Sequence, residues 1–338
     1  MGDDAKPTHV PQTCGGAASQ ALSRREFLGA ATALAGGPWL ARAVGEEAAL
    51  TLPPNHEPSH VFQVVSADVV RRTTIRRATL KDMLTSLLMD VTRRPSVGEA
   101  WGAVLKPDDV VGLKFNRSGQ SEIGTTPALA GVLIESLLQA GWRADQIVCI
   151  EAPPETATQY STSPPEQGYA DQPVSFPSGS DHLAKVLDQV TAIINVPYLK
   201  THNIALMTCA LKNLSHGLIQ HPARFHRNGC SPFVADIVAL PAIRGKLRLS
   251  IVDGLRVVYA GGPVPIEETI EDTGALLASV DPVALDALGF EMLNEIRRRR
   301  KLPALASAAA EVRYLRAAHL AGLGIAVPHG IEVHRAAV

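Results

Sequence analysis

Three lysines in this chain stand beside polar residues that could share their work. Lys114 precedes Asn116 at one remove, Lys200 opens Lys200-Thr201-His202, and Lys212 opens Lys212-Asn213-Leu214-Ser215-His216. Lys212 and His216 are four apart, which on a helix puts them on one face. Lys212 also follows the apolar run Met207-Thr208-Cys209-Ala210-Leu211, which draws it towards the interior. A lysine desolvated beside other cations loses basicity and can serve as base or nucleophile. Several lysines can equally hold an anion as fixed charges, and the spacing favours this plainer reading without closing the other. Lys114, Asn116, Lys200 and Asn213 are then the substrate-binding candidates, and His202, His216 and Lys212 the candidates for acid–base or nucleophilic work. Asp253 and Asp281 could orient a substrate or hold a divalent metal. Each also has a plainer reading: Asp253-Gly254 as a turn, and Asp281-Pro282 as a helix start. His221, Arg224 and His226 share a loop with Asn228-Gly229 and could ligate metal or contact substrate, although loop histidines usually do neither.

Strands must carry these residues to one place. Short apolar runs predict strands at 61–65, 110–115, 146–150, 192–196, 247–252 and 275–279. Helical patterning predicts helices over 80–91, 126–140, 183–190, 207–218, 233–240 and 282–300, with Thr126-Pro127 as a capped start. The alternation implies an α/β fold: a mostly parallel, doubly wound (Rossmann-like) sheet with helices on both faces. In such a sheet the strands' carboxyl ends share one edge, where ligands bind. Lys114-Phe115-Asn116, Lys200–His202, Asp253 and Asp281 all follow predicted strands, so they are expected on that edge, with His202 and Asp281 facing one crevice. A histidine of ordinary pKa, about 6.5, would make the site sensitive to mildly acid pH. Residues 152–180, with six prolines, read as a long irregular loop, either a lid or a passive excursion.

The amino-terminal region has its own logic. Ser23-Arg24-Arg25-Glu26-Phe27-Leu28 opens a mildly apolar run to Ala41, followed by the small-x-small pattern Ala41-Arg42-Ala43. This is the layout of a twin-arginine export signal over residues 1–43. The run is shorter than the about 20 apolar residues of a membrane span. Residues 44–60, with Pro53, Pro54 and Pro58, read as a linker to a domain over 61–338. The expected location is periplasmic or otherwise exported, with the twin-arginine export machinery as a partner. An apolar content of 46% supplies a large core, and a net charge of −1 with dispersed arginines offers no nucleic-acid surface. Outside the leader, Cys149, Cys209 and Cys230 show no Cys-x-x-Cys spacing, so no intrinsic iron–sulfur cluster, zinc finger or disulfide framework is expected.

Five ordered motifs carry a family resemblance. They are Lys114-x-Asn116, Asn195-Val196-Pro197-x-x-Lys200-Thr201-His202, Leu211-Lys212-Asn213-Leu214, Asp253-Gly254 and Ser279-x-Asp281-Pro282-Val283-Ala284-x-Asp286. Together they resemble the domain of unknown function 362 family over roughly residues 61 to 300. Many members of that family carry ferredoxin-type cysteine motifs, which this chain lacks. The unit at 110–150 also resembles, distantly, the first domain of nickel-pincer lactate racemases. That group has a histidine after the corresponding strand, where this chain has Glu151-Ala152-Pro153-Pro154, so racemase chemistry does not carry over. The expectation is an enzyme acting on an anionic or carboxylate small molecule. Its alternatives are a non-catalytic binder of metal or organic anion, or a redox accessory using a partner's cofactor.

Overall fold

Val111-Gly112-Leu113-Lys114, Ile147-Val148-Cys149-Ile150 and Ala192-Ile193-Ile194-Asn195 are buried at every position. Strands covered on both faces need continuous apolar runs of this kind. They make up one side of a nine-stranded sheet in a computed structural model that describes residues 58–338. The expected export signal and most of the expected linker lie outside the described residues.

The strands are β1 (Ser59–Val65), β2 (Val111–Lys114), β3 (Ile147–Ile150), β4 (Ala192–Asn195), β5 (Tyr198–His202), β6 (Leu206–Thr208), β7 (Leu247–Val258), β8 (Ile270–Ser279) and β9 (Ile331–Ala337). Their order is β9-β1-β8-β7-β4-β2-β3, with β5 pairing β7 and β6 pairing β5. β3, β2, β4 and β7 are mutually parallel, as are β5 with β7 and β1 with β9. β8 runs antiparallel to both β7 and β1, and β6 antiparallel to β5. The sheet is therefore mixed and mostly parallel. The chain leaves β2 for β3 on one side and returns to β4 on the other, so the ends of β2 and β4 flank a reversal of strand order.

Helices cover both faces. Ile147, Cys149 and Ile194 join one core with the buried residues of α1 (Arg77–Thr92), α2 (Val97–Val104) and α3 (Thr126–Gln139). Val148, Ile150 and Ile193 join the other, with α4 (Ala210–His216), α5 (Phe233–Val238), α6 (Pro282–Arg299) and α7 (Arg313–Leu320). Adjacent strand residues thus alternate between cores, as strand geometry demands. Each fully buried Leu or Ile contributes about 1.5–3 kcal/mol.

Several expectations are corrected. Residues 198–202 are a strand, and residues 206–208 turn back on it before α4 begins at Ala210. The excursion at 152–180 contains a helix, Glu155–Tyr160, and part of a small hairpin, Val174–Phe176 with Gly179–Asp181. No element was expected at α7 or β9, although α7 has a clear apolar face in Tyr314, Leu315 and Ala318. The largest correction concerns β8. Its antiparallel run carries Ser279 level with Ser250 near the start of β7, whereas Lys200 is level with Val258 at its end. Eight residues at about 3.3 Å each separate those levels by roughly 26 Å. Asp281 and His202 therefore lie at different ends of the sheet and share no crevice.

Candidate anion-binding site

The reversal at β2 and β4 is built from interlocked amides. Asn213 Nδ2 on α4 donates to the Lys114 carbonyl (3.1 Å) and to Asn195 Oδ1 (2.8 Å). Asn195 Nδ2 donates to Ala210 O and Ser250 Oγ, both at 3.1 Å. Lys114 Nζ donates to Phe115 O (2.7 Å), Glu151 Oε2 (2.9 Å) and Asn213 Oδ1 (3.2 Å). All three of its donors are thus used. Asn213 and Lys114 act as a rigid floor that fixes α4 against the strand ends.

α4 is anchored from the other side as well. Asp286 on α6 accepts from Leu211 N (3.4 Å) and from the Tyr314 hydroxyl (3.0 Å). Burial lifts Asp286 to about 7. Its bonds at the start of α4 aim the next turn, which bears Lys212 and His216.

Lys212 and His216 both turn to His226, as their four-residue spacing requires. Lys212 Nζ lies 3.1 Å from His226 Nε2. The His216 and His226 rings meet edge to face at 4.6 Å, and His202 stacks on His226 at 5.3 Å. His226 Nδ1 lies 3.0 Å from the Pro222 carbonyl and must be protonated to bond it. Its Nε2 is then a lone pair receiving the ammonium proton. His202 Nδ1 accepts from Ile204 N (3.1 Å) and Ala205 N (3.2 Å), so the proton of the neutral ring sits on Nε2, free to donate. His216 Nδ1 meets Ser215 Oγ at 3.0 Å, while its buried Nε2 has no partner.

Lys200 enters from β5. Its Nζ donates to Ser118 O (2.6 Å) and Pro263 O (3.4 Å). A Cβ at Gly262 would stand 1.9 Å from the Thr201 carbonyl oxygen, so glycine is what lets this turn close over Lys200. Asn116 Oδ1 accepts from Ser118 N at 3.0 Å and shapes the loop that offers Lys200 its carbonyl.

The electrostatics follow from burial. Lys200 falls to about 8 through desolvation, reinforced by Lys212. Desolvation also takes Lys212 to about 8. His202 drops to about 3 through burial, then Lys212, His226 and Lys200. His216 drops to about 2 through burial, then Lys212 and His226. His202 consequently does not titrate near 6.5, contrary to the sequence-based expectation. Glu151 pairs with Lys114, and neither Lys200 nor Lys212 has a carboxylate within ion-pair distance among the described residues.

The two aspartates lie apart from this group. Asp253 is buried within β7, where it accepts from Thr125 Oγ1 (2.5 Å) and Leu255 N (3.2 Å), and burial raises it to about 6. Asp281 caps α6, accepting from Val283 N (2.8 Å), Ala284 N (2.9 Å), Ile325 N (2.9 Å) and the Ser59 hydroxyl. A Cβ at Gly324, whose φ is +157°, would stand 1.9 Å from Asp281 Oδ1.

Three residues were missed. Glu151 ends β3 and would have emerged had the strand-end argument been applied to that strand. Cys230 follows His226 by four, and its Sγ groups with ring nitrogens of His216 and His226, all within 4.8 Å of one another. Asp286 belongs to the quoted motif but had no role. His221, by contrast, lies 2.8 Å from the buried carboxylate of Asp181.

Residues 161–291 match the family model described as Domain of unknown function (DUF362). That stretch holds Lys200, His202, Lys212, Asn213 and His216 but not Lys114. No curated protein matches the chain. Among solved structures, the chain is similar to the lactate racemase apoprotein from Thermoanaerobacterium thermosaccharolyticum, at 12% identity and a TM-score of 0.34. The alignment covers 72% of this chain and 59% of that one, so the chain spans less than two thirds of its length. A likeness at that level carries no chemistry across.

Proposed function

We propose that this chain binds an anionic small molecule, a carboxylate by preference, between Lys200, Lys212 and His202, and acts on it as an enzyme. One observation carries the reading. Among the described residues, two buried ammonium groups have no carboxylate within ion-pair distance, and a buried charge left unpaired is costly. A bound anion supplies the missing charge.

The donors left over suit that ligand. An ammonium has three N–H groups. Lys200 uses two on carbonyls and Lys212 uses one on His226, so N–H groups remain on both. His202 Nε2–H adds a neutral donor. Lys212 donates to His226 Nε2 across 3.1 Å, so the pair can deliver a proton to the bound molecule or take one from it. Asn213, Asn195, Lys114 and Asp286 hold the geometry. The export signal read at residues 1–43 favours a site of action outside the cytoplasm.

Calorimetry of the full chain against acetate, oxalate, succinate and phosphate tests the proposal. Saturable binding to at least one, weakened tenfold or more in Lys212→Ala, is the expected result. No saturable binding to any of the four would remove the anion reading.

A second reading rests on a different observation. His216 Nε2 is buried without a partner, beside His226 and Cys230. Two imidazoles and a thiolate suit zinc or a similar ion. Lys212 already bonds the His226 lone pair, so metal and ammonium compete for one atom. Metal analysis of the purified protein separates the two readings.

A further inference from the structure

We propose that His60, Glu332 and His334 form a separate surface site for a zinc-class divalent cation, which clasps β9 onto β1. The site follows from register. In the parallel β1–β9 pair, His60 lies opposite Glu332 and Phe62 opposite His334. Residues two apart on a strand share a face, so these four side chains form a square on one side of the pair. The Phe62 and His334 rings stack at 4.6 Å and 16°, which fixes the plane of the His334 imidazole.

The donor atoms are already spaced for a metal. His60 Nδ1 lies 3.1 Å from His334 Nε2 and 3.4 Å from Glu332 Oε2, and all three lie within 4.8 Å of one another. Ligands at about 2.0–2.1 Å around a tetrahedral ion stand about 3.3–3.4 Å apart. Two imidazoles and one carboxylate select zinc, nickel or copper over magnesium or calcium. The nearest other charges are Asp90 on α1, which favours a cation here, and Arg93 just past its end, which opposes one.

The clasp has a place in the fold. β9 is a partly exposed strand whose one neighbour in the sheet is β1. On the opposite face of the pair, Arg335 Nε donates to Gln63 Oε1 at 3.2 Å. A metal on the first face would give β9 a second tie and leave a coordination position open to solvent. The site sits near the Ser59 end of β1, on the face opposite the Ser59 side chain that bonds Asp281, and is independent of the lysine recess.

The test uses the full chain dialysed against zinc chloride, with bound zinc counted by mass spectrometry. The wild type is expected to hold one equivalent more than the His60→Gln/His334→Gln variant. His226→Gln should keep that equivalent, whatever happens at the inner cluster. Zinc should also slow hydrogen exchange of the β9 amides in the wild type, and magnesium should not. Equal stoichiometry in wild type and double variant would overturn the site. So would a dissociation constant on the order of a millimolar, or unchanged β9 exchange with zinc bound.

Discussion

Lys212 and His226 face each other across a single hydrogen bond. The ammonium lies 3.1 Å from His226 Nε2, and the opposite ring nitrogen is committed to the Pro222 carbonyl. The imidazole therefore has one direction in which to accept, and that direction is Lys212. Burial holds His226 below its usual range, with Lys212 adding to the effect. The ammonium is weakened by the same burial. Both groups lose basicity together, so Lys212 remains the stronger base and keeps the proton that points at His226.

The two lysines should separate binding from stability. Lys200→Ala and Lys212→Ala should each weaken anion binding by roughly 1.5–3 kcal/mol, the range for hydrogen bonds to charged groups. Neither should lower the denaturation midpoint of the ligand-free protein much, because each removes a buried charge with no ion-paired carboxylate among the described residues. Unfolding at room temperature with normal binding in the folded remainder would mean that the lysines are structural.

The pH response should come from lysine. Both ammonium groups are fully charged well below pH 8 and lose their protons through about 8. Anion affinity should be flat from pH 5 to 7 and fall above about 8. The sign for stability is the reverse. The unfolded lysine keeps its proton to about 10.4, so the unfolded state binds more protons between about 8 and 10.4, and stability rises with pH there. Lys212→Met should reduce that rise, as read from urea midpoints at pH 7, 8, 9 and 10.

His202 should stay neutral in mildly acid solution. Its pKa of about 3 and its two backbone donors to Nδ1 fix the Nε2–H tautomer. Nitrogen-detected magnetic resonance of the imidazole should show that tautomer unchanged from pH 7 to 5. A transition near 6.5 would contradict the burial argument. His202→Gln should weaken anion binding without altering its pH profile.

Asp281 should matter for folding and not for ligand. Asp281→Ala removes an N-cap, worth about 0.5–2 kcal/mol, and leaves Ile325 N without that bond. Chemical denaturation should register the loss, and calorimetry should find anion affinity intact. Altered affinity in a fully folded variant would restore Asp281 to the site.

Export should depend on Arg24 and Arg25. Replacing both with lysine should leave the precursor in the cytoplasm, which cell fractionation would show. Unchanged secretion would remove the twin-arginine reading.

The sequence was legible where one rule decided the outcome. Buried parallel strands left continuous apolar runs, so β2, β3 and β4 stood out. The i, i+4 spacing brought Lys212 and His216 to a common target. Strand direction was not legible: Ala275–Ser279 is equally apolar whichever way it runs, and pairing with β1 and β7 decides it. That ambiguity put Asp281 on the wrong end of the sheet. β9 escaped because its partly exposed residues have no apolar run, and its partner lies far away in sequence at β1. Local patterning cannot report such a contact.

That long-range partnership bears on how the protein is made. Every residue of β1 from Ser59 to Val65 pairs with a residue between Ile331 and Ala337. A ribosome adds Gln63 to the chain 272 residues before its partner Arg335. Over that interval one edge of β1 lacks its neighbour, and an uncovered strand edge invites pairing with other chains. The β1–β9 pairing can form only once residues 331–337 have emerged, so that edge of β1 stays open to wrong partners until then.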